Sequence, residues 1–286
     1  MLEGRIEMPS DRVRVAESGA SRLERWSFNF VLGLLALAAA LLLIAPTVVV
    51  LITSFTSAFS LRFPPPGYSA RWYVALWNDS PEILAAALTS LEVAGIATAV
   101  SVLLGVAAAL ALARQTRAWA RFVDSLFMSP LMLPTLALGL ALLVLFNLAG
   151  TGLSLATLVI GHIAITTPYV LRTTVASLAQ MDPQLLESAR SLGARPLFAF
   201  RTITLPMIAP GIAAGAFIAF MSSFDNVAIS LFLSDARSEV LPIRLWHIIE
   251  ANLDVRAAAA SGVLIAFTIL LGIVMEKVAG ISRHMR

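Results

Sequence analysis

Six apolar runs, each long enough to cross a bilayer, constrain the possible folds of this chain more than any other feature of its sequence. A transmembrane helix needs about 20 apolar residues, because the hydrocarbon core of a bilayer is about 30 Å thick. Within that core every backbone N–H and C=O group must be paired internally, so separate runs of this length predict helices. The alternation over about ten residues that indicates barrel strands is absent. We place the six spans at 28–54, 84–113, 125–148, 154–178, 207–233 and 257–279.

Composition supports the same fold class. The 286 residues are 59% hydrophobic and 13% charged, whereas soluble domains are about half apolar and a quarter charged. So few charges cannot cover a water-exposed surface, and lipid must cover much of it. The sequence therefore predicts an all-α integral membrane protein. It has no cysteine, which excludes disulfides and thiolate metal sites. Its basic residues are spread between the apolar runs, so nucleic acid is not an expected partner.

The distribution of basic residues predicts the topology. Cytoplasmic loops of membrane proteins carry an excess of Lys and Arg. If the N-terminus is cytoplasmic, only five of the 20 basic residues lie on the outer side, namely Arg62, Arg71, Arg237, Arg244 and Arg256. We therefore expect both termini in the cytoplasm of a bacterium, with the chain crossing its plasma membrane six times. Residues 1–27 form a cytoplasmic tail without a signal-peptide cleavage site, and 28–286 form the transmembrane domain.

The loop between the fourth and fifth spans, residues 181–206, has the signals of two short helices. Asp182 is a good N-cap and Pro183 a good first helical residue. Gly193 is placed to end this helix in the left-handed conformation. Pro196 then begins a second short helix, which Pro206 closes before the fifth span. We name this segment the 181–206 loop.

The first helix of the 181–206 loop carries apolar residues at helical spacing. These residues are Leu185, Leu186, Ala189 and Leu192. Their spacing predicts one apolar stripe along the helix. A loop that only joins two spans needs a few residues, so a structured hairpin with an apolar face suggests docking to another protein.

The same loop resembles the permease subunits of ABC-type importers. Those permeases carry Glu-Ala-Ala, three residues, Gly, nine residues, and then Ile-x-Leu-Pro. Glu187-Ser188-Ala189, Gly193 and Ile203-Thr204-Leu205-Pro206 fit this pattern at every spacing, with Ser188 in place of the middle Ala. The resemblance implies a type I ABC importer permease whose loop is the coupling helix on the ATPase. The coupling residues implied are Glu187, Ser188, Ala189, Arg190, Gly193, Ala194, Leu205 and Pro206.

Several further segments are similar to the second permease of spermidine/putrescine-type importers. They are Ser54-Phe55, Arg71-Trp72-Tyr73, Met128-Ser129-Pro130, Gly161-His162-Ile163, Pro168-Tyr169-Val170, Ser223-Phe224-Asp225-Asn226-Val227 and Glu239-Val240-Leu241-Pro242. In such relatives a second acidic residue often follows Asp225, where this chain has Asn226. The resemblance implies a polyamine or a related cationic amine or amino-acid derivative as the solute. Related permeases carry opines, thiamine, phosphonates or iron, and these stay open as alternatives.

The resemblance also implies partners. They are an ATPase subunit dimer, a second and different permease chain, and a substrate-binding protein that is periplasmic or a lipoprotein. This chain has no Gly-rich phosphate-binding loop, so we expect it to bind no cofactor and expect ATP and Mg on the partner ATPase. The chain would supply half of the translocation path and no catalytic residue.

Polar residues within the spans are the candidates for the translocation path, because an ionisable side chain in a span is costly and often functional. They are Glu92, His162, Ser222, Asp225 and Asn226. A structural interpretation stands beside each one. Asp225 and Asn226 could join helices by hydrogen bonds, Glu92 could lie at the membrane interface, and His162 could be a buried structural residue. No His and acidic cluster has metal-ligand spacing, so we expect no metal site.

Two prolines inside predicted spans, Pro134 and Pro168, are candidate pivots, since proline can bend a helix. Two other classes of function compete with an importer. An ion channel would have a charge ring or filter loop on its axis, and neither is evident. An intramembrane enzyme would have paired His and acidic residues, yet only His162 lies in a span.

Overall fold

A computed structural model describes residues 19–113, 115 and 117–279, which form helices joined by short segments. The chain divides into two compact units, of which the first ends at Val50 and the second begins at Leu51. The first unit consists of most of helix α1 (Gly19–Ser54), which contains Pro46. Helix α1 begins before residue 28, so the part of the predicted tail from Gly19 onward is helical. The rest of that tail, residues 1–18, lies outside the described residues.

The second unit is also helical. Its helices are α2 (Arg71–Asn78), α3 (Pro81–Leu112), α4 (Ala118–Met132), α5 (Thr135–Leu148), α6 (Leu155–Ala179), α7 (Pro183–Ser191), α8 (Pro196–Ala199), α9 (Leu205–Phe224), α10 (Ala228–Leu233), α11 (Leu241–Asn252) and α12 (Val255–Ala279). A π-helical turn, Phe200–Thr204, joins α8 to α9. Within the described ranges the only β-type pairings are two isolated bridges, Thr56 with Tyr68 and Ser60 with Asp254.

Among the described residues, five helices are long and apolar enough to cross a membrane, and a sixth span results if α4 and α5 count as one. This agrees with the predicted all-α membrane protein of six spans. The pair α4 and α5 is bent by 105°, however, so 125–148 is not one straight helix. The bend lies at Pro134, which lacks an N–H group and disfavours helical geometry at Leu133. Leu133 accordingly has an extended backbone, with φ −88° and ψ 143°.

The predicted fifth span, 207–233, is also divided. Helix α9 ends at Phe224, and the short helix α10 starts at Ala228. We call the three residues between them, Asp225–Val227, the α9–α10 break. The second, fourth and sixth spans, in contrast, differ from the predicted bounds by only a few residues.

Helices α3, α6 and α9 form the centre of the second unit, and α6 is the most buried of the spanning helices. Small residues allow their backbones to approach closely, as is usual between membrane helices. A Cβ atom added to Gly105 on α3 would lie 2.8 Å from Cβ of Val170 on α6. A Cβ atom added to Gly215 on α9 would lie 2.9 Å from Cα of the same Val170. Val170 itself is fully buried.

The second unit has two distinct ends. At the first, which we call the α7 end, α7 and α8 lie against the last turns of α3 and α6. At the second, the α11 end, the N–H group of Leu241 donates to Oγ of Ser90 at 2.8 Å and joins α11 to α3. Arg256 at the start of α12 contacts Glu82 on α3 at 3.4 Å at this same end.

Candidate coupling and translocation sites

Local hydrogen bonds define both ends of α7. Oδ1 of Asp182 accepts from the N–H of Gln184 at 2.9 Å, so the predicted N-cap is confirmed. At the other end the N–H of Gly193 donates to the Arg190 carbonyl at 2.9 Å, and the N–H of Ala194 donates to the Ala189 carbonyl at 3.0 Å. This pair of bonds is the Schellman motif, which needs a left-handed residue. Gly193 supplies it with φ +82°.

The apolar residues predicted to form one stripe along α7 differ in burial. Ala189 is buried, Leu186 is half-buried, and Leu192 is 88% exposed. Glu187 and Ser188 are also exposed. Helix α7 therefore packs on the bundle through Ala189 and Leu186, and it leaves exposed an acidic group, a hydroxyl and, at its C-cap, a leucine.

The second half of the 181–206 loop differs from its prediction. Pro206 does not end the short helix that begins at Pro196, because the chain continues as one helical segment into α9. The π-helical turn makes this continuity feasible, since the N–H of Leu205 donates to the carbonyl of Phe200, five residues earlier. Pro206 then lies in the first turn of α9, directly after the π-helical turn. Helix α8 is therefore joined to α9 without a flexible connection.

A cavity of about 290 Å³ lies between α7, α8 and the last turns of α3 and α6. Arg190 is the charged residue in its lining, together with Leu186, Phe200 and Thr204. The packing of α7 against the bundle is thus incomplete. Among the predicted coupling residues, Arg190 lines this cavity and is also exposed, and Glu187, Ser188 and Gly193 are exposed without lining it.

Three predicted path residues lie at the α9–α10 break or one turn before it. Oδ1 of Asn226 accepts from the N–H of Ile229 at 2.8 Å, so Asn226 caps the start of α10. Asp225 is exposed, and its own N–H donates to the Met221 carbonyl at 3.2 Å. Ser222 is half-buried on the preceding turn.

His162 has no exposed surface to offer a solute, because only 1% of it is accessible. Its Nδ1 lies 2.7 Å from Oγ of Ser223, and its Nε2 lies 3.2 Å from Oγ of Ser230. Both serines are buried. A neutral imidazole has one donor and one acceptor nitrogen, and a hydroxyl group can complement either. Two hydroxyl groups therefore satisfy this ring completely.

Comparison with known proteins decides the family. Residues 101–281 match the family described as "Binding-protein-dependent transport system inner membrane component". The chain belongs to this family. Among curated proteins, the spermidine/putrescine transport system permease protein PotC of Escherichia coli K12 is 29% identical over 82% of this chain and 88% of its own length. The putrescine transport system permease protein PotI of the same strain is 30% identical over 81% and 84%.

Solved structures agree on the fold. A chain of a bacterial ABC transporter that imports the acidic polysaccharide alginate superposes with a TM-score of 0.69 at 16% identity, over 93% of this chain and 98% of that one. A MetNI methionine ABC transporter chain gives a TM-score of 0.56 over 72% of this chain and 96% of its own. The protein is thus a permease subunit of a binding-protein-dependent ABC importer. It is a multi-pass inner-membrane transport component and not an enzyme, since the relatives are transport subunits and ATP hydrolysis belongs to a separate subunit.

The other polar candidates for the translocation path lie apart from one another in the permease. Glu92 lies on an exposed side of α3, next to the buried Val93 and Ala94, whereas His162 lies inside the bundle. Sequence reasoning found His162 but missed Ser230, because a serine in an apolar helix carries no signal of a partner 68 positions away. Within the described ranges, no three His, Cys, Asp or Glu side chains are grouped as metal ligands would be.

A second buried polar cluster also escaped sequence reasoning. Oγ of Ser101 on α3 lies 2.7 Å from Oγ1 of Thr166 and 3.1 Å from Oγ1 of Thr167 on α6. All three residues are at most 4% exposed. Oγ1 of Thr166 also contacts the carbonyl of His162 at 2.8 Å. The helix that carries His162 is therefore joined to α3 just beside the histidine.

Proposed function

We propose that this permease belongs to a polyamine importer and transmits ATP-driven motion to the solute path through the 181–206 loop. One observation supports the substrate class above others. Two polyamine permeases, PotC and PotI, are 29% and 30% identical to this chain over more than four-fifths of its length. A linear cationic amine, or a related amino-acid derivative, is the solute we propose.

The geometry of α7 supports the coupling role. Its exposed face offers Glu187, Ser188 and the 88% exposed Leu192 to a partner. An exposed apolar side chain of this size, surrounded by polar groups, is typical of a protein contact. We propose that this face docks in a cleft of the ATPase subunit. Arg195 and Arg201, both exposed, are placed to pair with acidic groups there.

The continuity of α8 with α9 supports transmission of motion to the path. The π-helical turn leaves no flexible linker between Pro196 and Phe224. A displacement of the loop by the ATPase would therefore move α9 as well, and with it the α9–α10 break. ATP and Mg would bind to the partner ATPase dimer and not to this chain.

This assignment sets the orientation that we propose for the molecule. The α7 end would face the cytoplasm, with both termini on that side. The α11 end would receive solute from a binding protein that is periplasmic or a lipoprotein. A second, different permease chain would provide the other half of the path. Exposed aromatic side chains outside the spans, Phe59, Tyr68 and Trp77, fit the membrane interface at that outer end.

The exposed carboxylate of Asp225 is the best candidate for contact with a cationic solute. No described side chain forms an ion pair with it, and it lies at a break in the helix. Glu92 is a second exposed acidic group within a spanning helix. An ammonium group that passes either carboxylate would gain a favourable Coulomb interaction in a poorly hydrated path.

One relative favours a second candidate solute. A putative 2-aminoethylphosphonate transport system permease protein, PhnV of Salmonella typhimurium LT2, is 24% identical over 82% of this chain. An aminophosphonate also carries an amino group, but its phosphonate would be repelled by Asp225. The two candidates therefore make opposite predictions for removal of that carboxylate.

The experiment is uptake into proteoliposomes that contain the permease pair and the ATPase, with the cognate binding protein and ATP supplied. Radiolabelled putrescine and spermidine should accumulate, and excess unlabelled polyamine should compete while 2-aminoethylphosphonate should not. Asp225→Asn should lower polyamine uptake, with Glu276→Gln as a control at an exposed acidic residue near the C-terminal end of α12. Accumulation of the phosphonate, or release of a non-amine ligand from the denatured binding protein, would refute the polyamine assignment.

A further inference from the structure

The imidazole of His162 joins the two sides of the α9–α10 break. Ser223 belongs to the last turn of α9, and Ser230 belongs to α10. In a continuous helix, seven residues separate two side chains by about 10.5 Å along the axis. One imidazole hydrogen-bonded at both nitrogens does not span that distance. Both serines reach His162 because the helix is interrupted between them.

The anchor for this contact is rigid. Helix α6 is the most buried spanning helix, and the carbonyl of His162 accepts from Thr166 at 2.8 Å. Thr166 contacts Ser101 on α3 at 2.7 Å. The histidine is thus held by two helices, whereas the break between the two serines that it contacts has three non-helical residues.

The exposed side of the break carries the groups that a solute can meet. Asp225 and Val227 are exposed, while Ser223 and Ser230 behind them are buried. Asn226 caps α10 with its side chain, but that bond lies within the α9–α10 segment and does not fix it against α6. Helix α5 also packs against the start of α10, where a Cβ atom added to Gly139 would lie 3.0 Å from the Ala228 carbonyl oxygen. The two hydrogen bonds from α6 are the contacts that join both sides of the break, so they help to set the direction in which the exposed residues point.

We propose that His162 is a positioning residue for transport: by hydrogen-bonding Ser223 and Ser230 together, it fixes the α9–α10 break and orients Asp225 and Val227 toward the path. It does not touch the solute. The proposal does not depend on which solute the importer carries, because it concerns the shape of the break. In this proposal, a buried residue controls the conformation of exposed ones.

The absence of cysteine from the chain provides a direct test. In the assembled complex, Val227→Cys is the reporter, and the rate of its modification by a water-soluble maleimide is measured with and without ATP. The variants His162→Leu, His162→Asn and Ser230→Ala are made in this background. Leu171→Ala, a fully buried residue on the same helix, controls for a general loss of packing.

We expect His162→Leu to change the labelling rate, or its dependence on ATP, by about three- to twentyfold, the range that interhelical hydrogen bonds in membranes span. His162→Asn, which can keep the bond to Ser223, should show a smaller change. ATP hydrolysis should continue while uptake per ATP falls. A merely structural role would lower the amount of assembled complex and leave labelling of the assembled fraction unchanged.

Two results would overturn the proposal. One is a labelling rate within about twofold of the parent in both His162→Leu and Ser230→Ala, which is less than one such hydrogen bond provides. The other is an equal change in Leu171→Ala. If His162→Leu does not assemble, Ser230→Ala decides the matter alone, because it removes one hydroxyl group and creates no large cavity. Failure of polyamine uptake in the parent complex would refute the proposed solute but leave this test intact.

Discussion

The 181–206 loop and the His162 contact depend on interactions of opposite range. In the loop, each bond that defines α7 joins residues at most five positions apart, and the outward face is exposed. Around His162, the bonds join residues 61 and 68 positions apart, and every member is buried. Short-range signals are visible in a sequence because residue types and spacings encode them. Long-range polar contacts are not, because either partner alone is an ordinary residue.

The largest expected effect comes from the close approach of α3 and α6. A Cβ atom at position 105 would meet Val170, whereas one at position 95 of the same helix would meet nothing within 4 Å. Gly105→Ala should destabilise the permease by about 1–3 kcal/mol through overpacking. Gly95→Ala should leave stability unchanged or raise it slightly, since alanine is the better helix former.

Thermal unfolding of the purified complex in detergent or nanodiscs checks this pair of variants. Equal melting temperatures for the two variants would show that the buried centre tolerates a methyl group.

A smaller effect, confined to coupling, is expected at Gly193. Its φ of +82° costs an L-residue about 1–2 kcal/mol, so Gly193→Asp should reduce ATP-coupled uptake about tenfold. The matched control is Gly150→Asp, because Gly150 also has a positive φ, of +71°, and open space around its Cα. It lies in the turn between α5 and α6. Uptake and ATP hydrolysis are measured together, and equal loss in both variants would contradict a special role for the 181–206 loop.

Reversing a charge on the exposed face of α7 should have a smaller effect on coupled uptake. Glu187→Arg should lower coupled uptake about two- to fivefold, the range expected for one surface ion pair of up to about 1 kcal/mol. The control is Gln184→Arg, an exposed position on the same helix. The deficit of Glu187→Arg should shrink in high salt, because screening weakens surface charge interactions. A deficit independent of salt would mean that packing, not charge, is the defect.

The smallest effect is expected in the segment between α10 and α11. The hydroxyl of Ser238 donates to Oδ1 of Asp235 at 2.6 Å. This bond chiefly holds the pKa of Asp235 below its ordinary value, with help from the backbone N–H groups of Arg237 and Ser238. A lowered pKa means that the turn gains stability above the unfolded pKa and loses it only as the pH falls through the folded one.

Hydrogen exchange of residues 234–240 between pH 7 and pH 3 tests this. Protection should persist to below the ordinary pKa of aspartate and then fall. In Asp235→Asn the pH dependence should disappear. Ser238→Ala should move the fall in protection upward in pH. An unchanged profile in Ser238→Ala would contradict the hydrogen bond as the cause of the lowered pKa.

The two candidate pivots illustrate where sequence reasoning stopped. Pro134 lies at a 105° bend, yet α6 continues through Pro168 without interruption. Pro168 is accommodated within a continuous helix, whereas the chain bends sharply at Pro134. From the sequence alone, both prolines are equally good candidates for pivots.

The candidate site divides in the same way. The N-cap at Asp182 and the left-handed conformation of Gly193 agree with the predictions from sequence, because both depend on residues close in the chain. The helix end predicted at Pro206 was wrong, because a π-helical turn continues the helix into α9 instead. Asn226 had been considered only for the path or for joining helices. Its role as the cap of α10 became visible only when the helix was found to break beside it.

The sequence by itself determined that this chain is a helical membrane protein of six spans, with a structured loop at 181–206 that marks an ABC importer permease. Apolar length, caps and motif spacing suffice for that, because the bilayer and the helix impose their own periods. The tertiary structure decided which spans bend, which face of α7 is open, and that His162 joins both sides of the α9–α10 break. Those outcomes depend on contacts between residues far apart in the chain, and no local pattern specifies them.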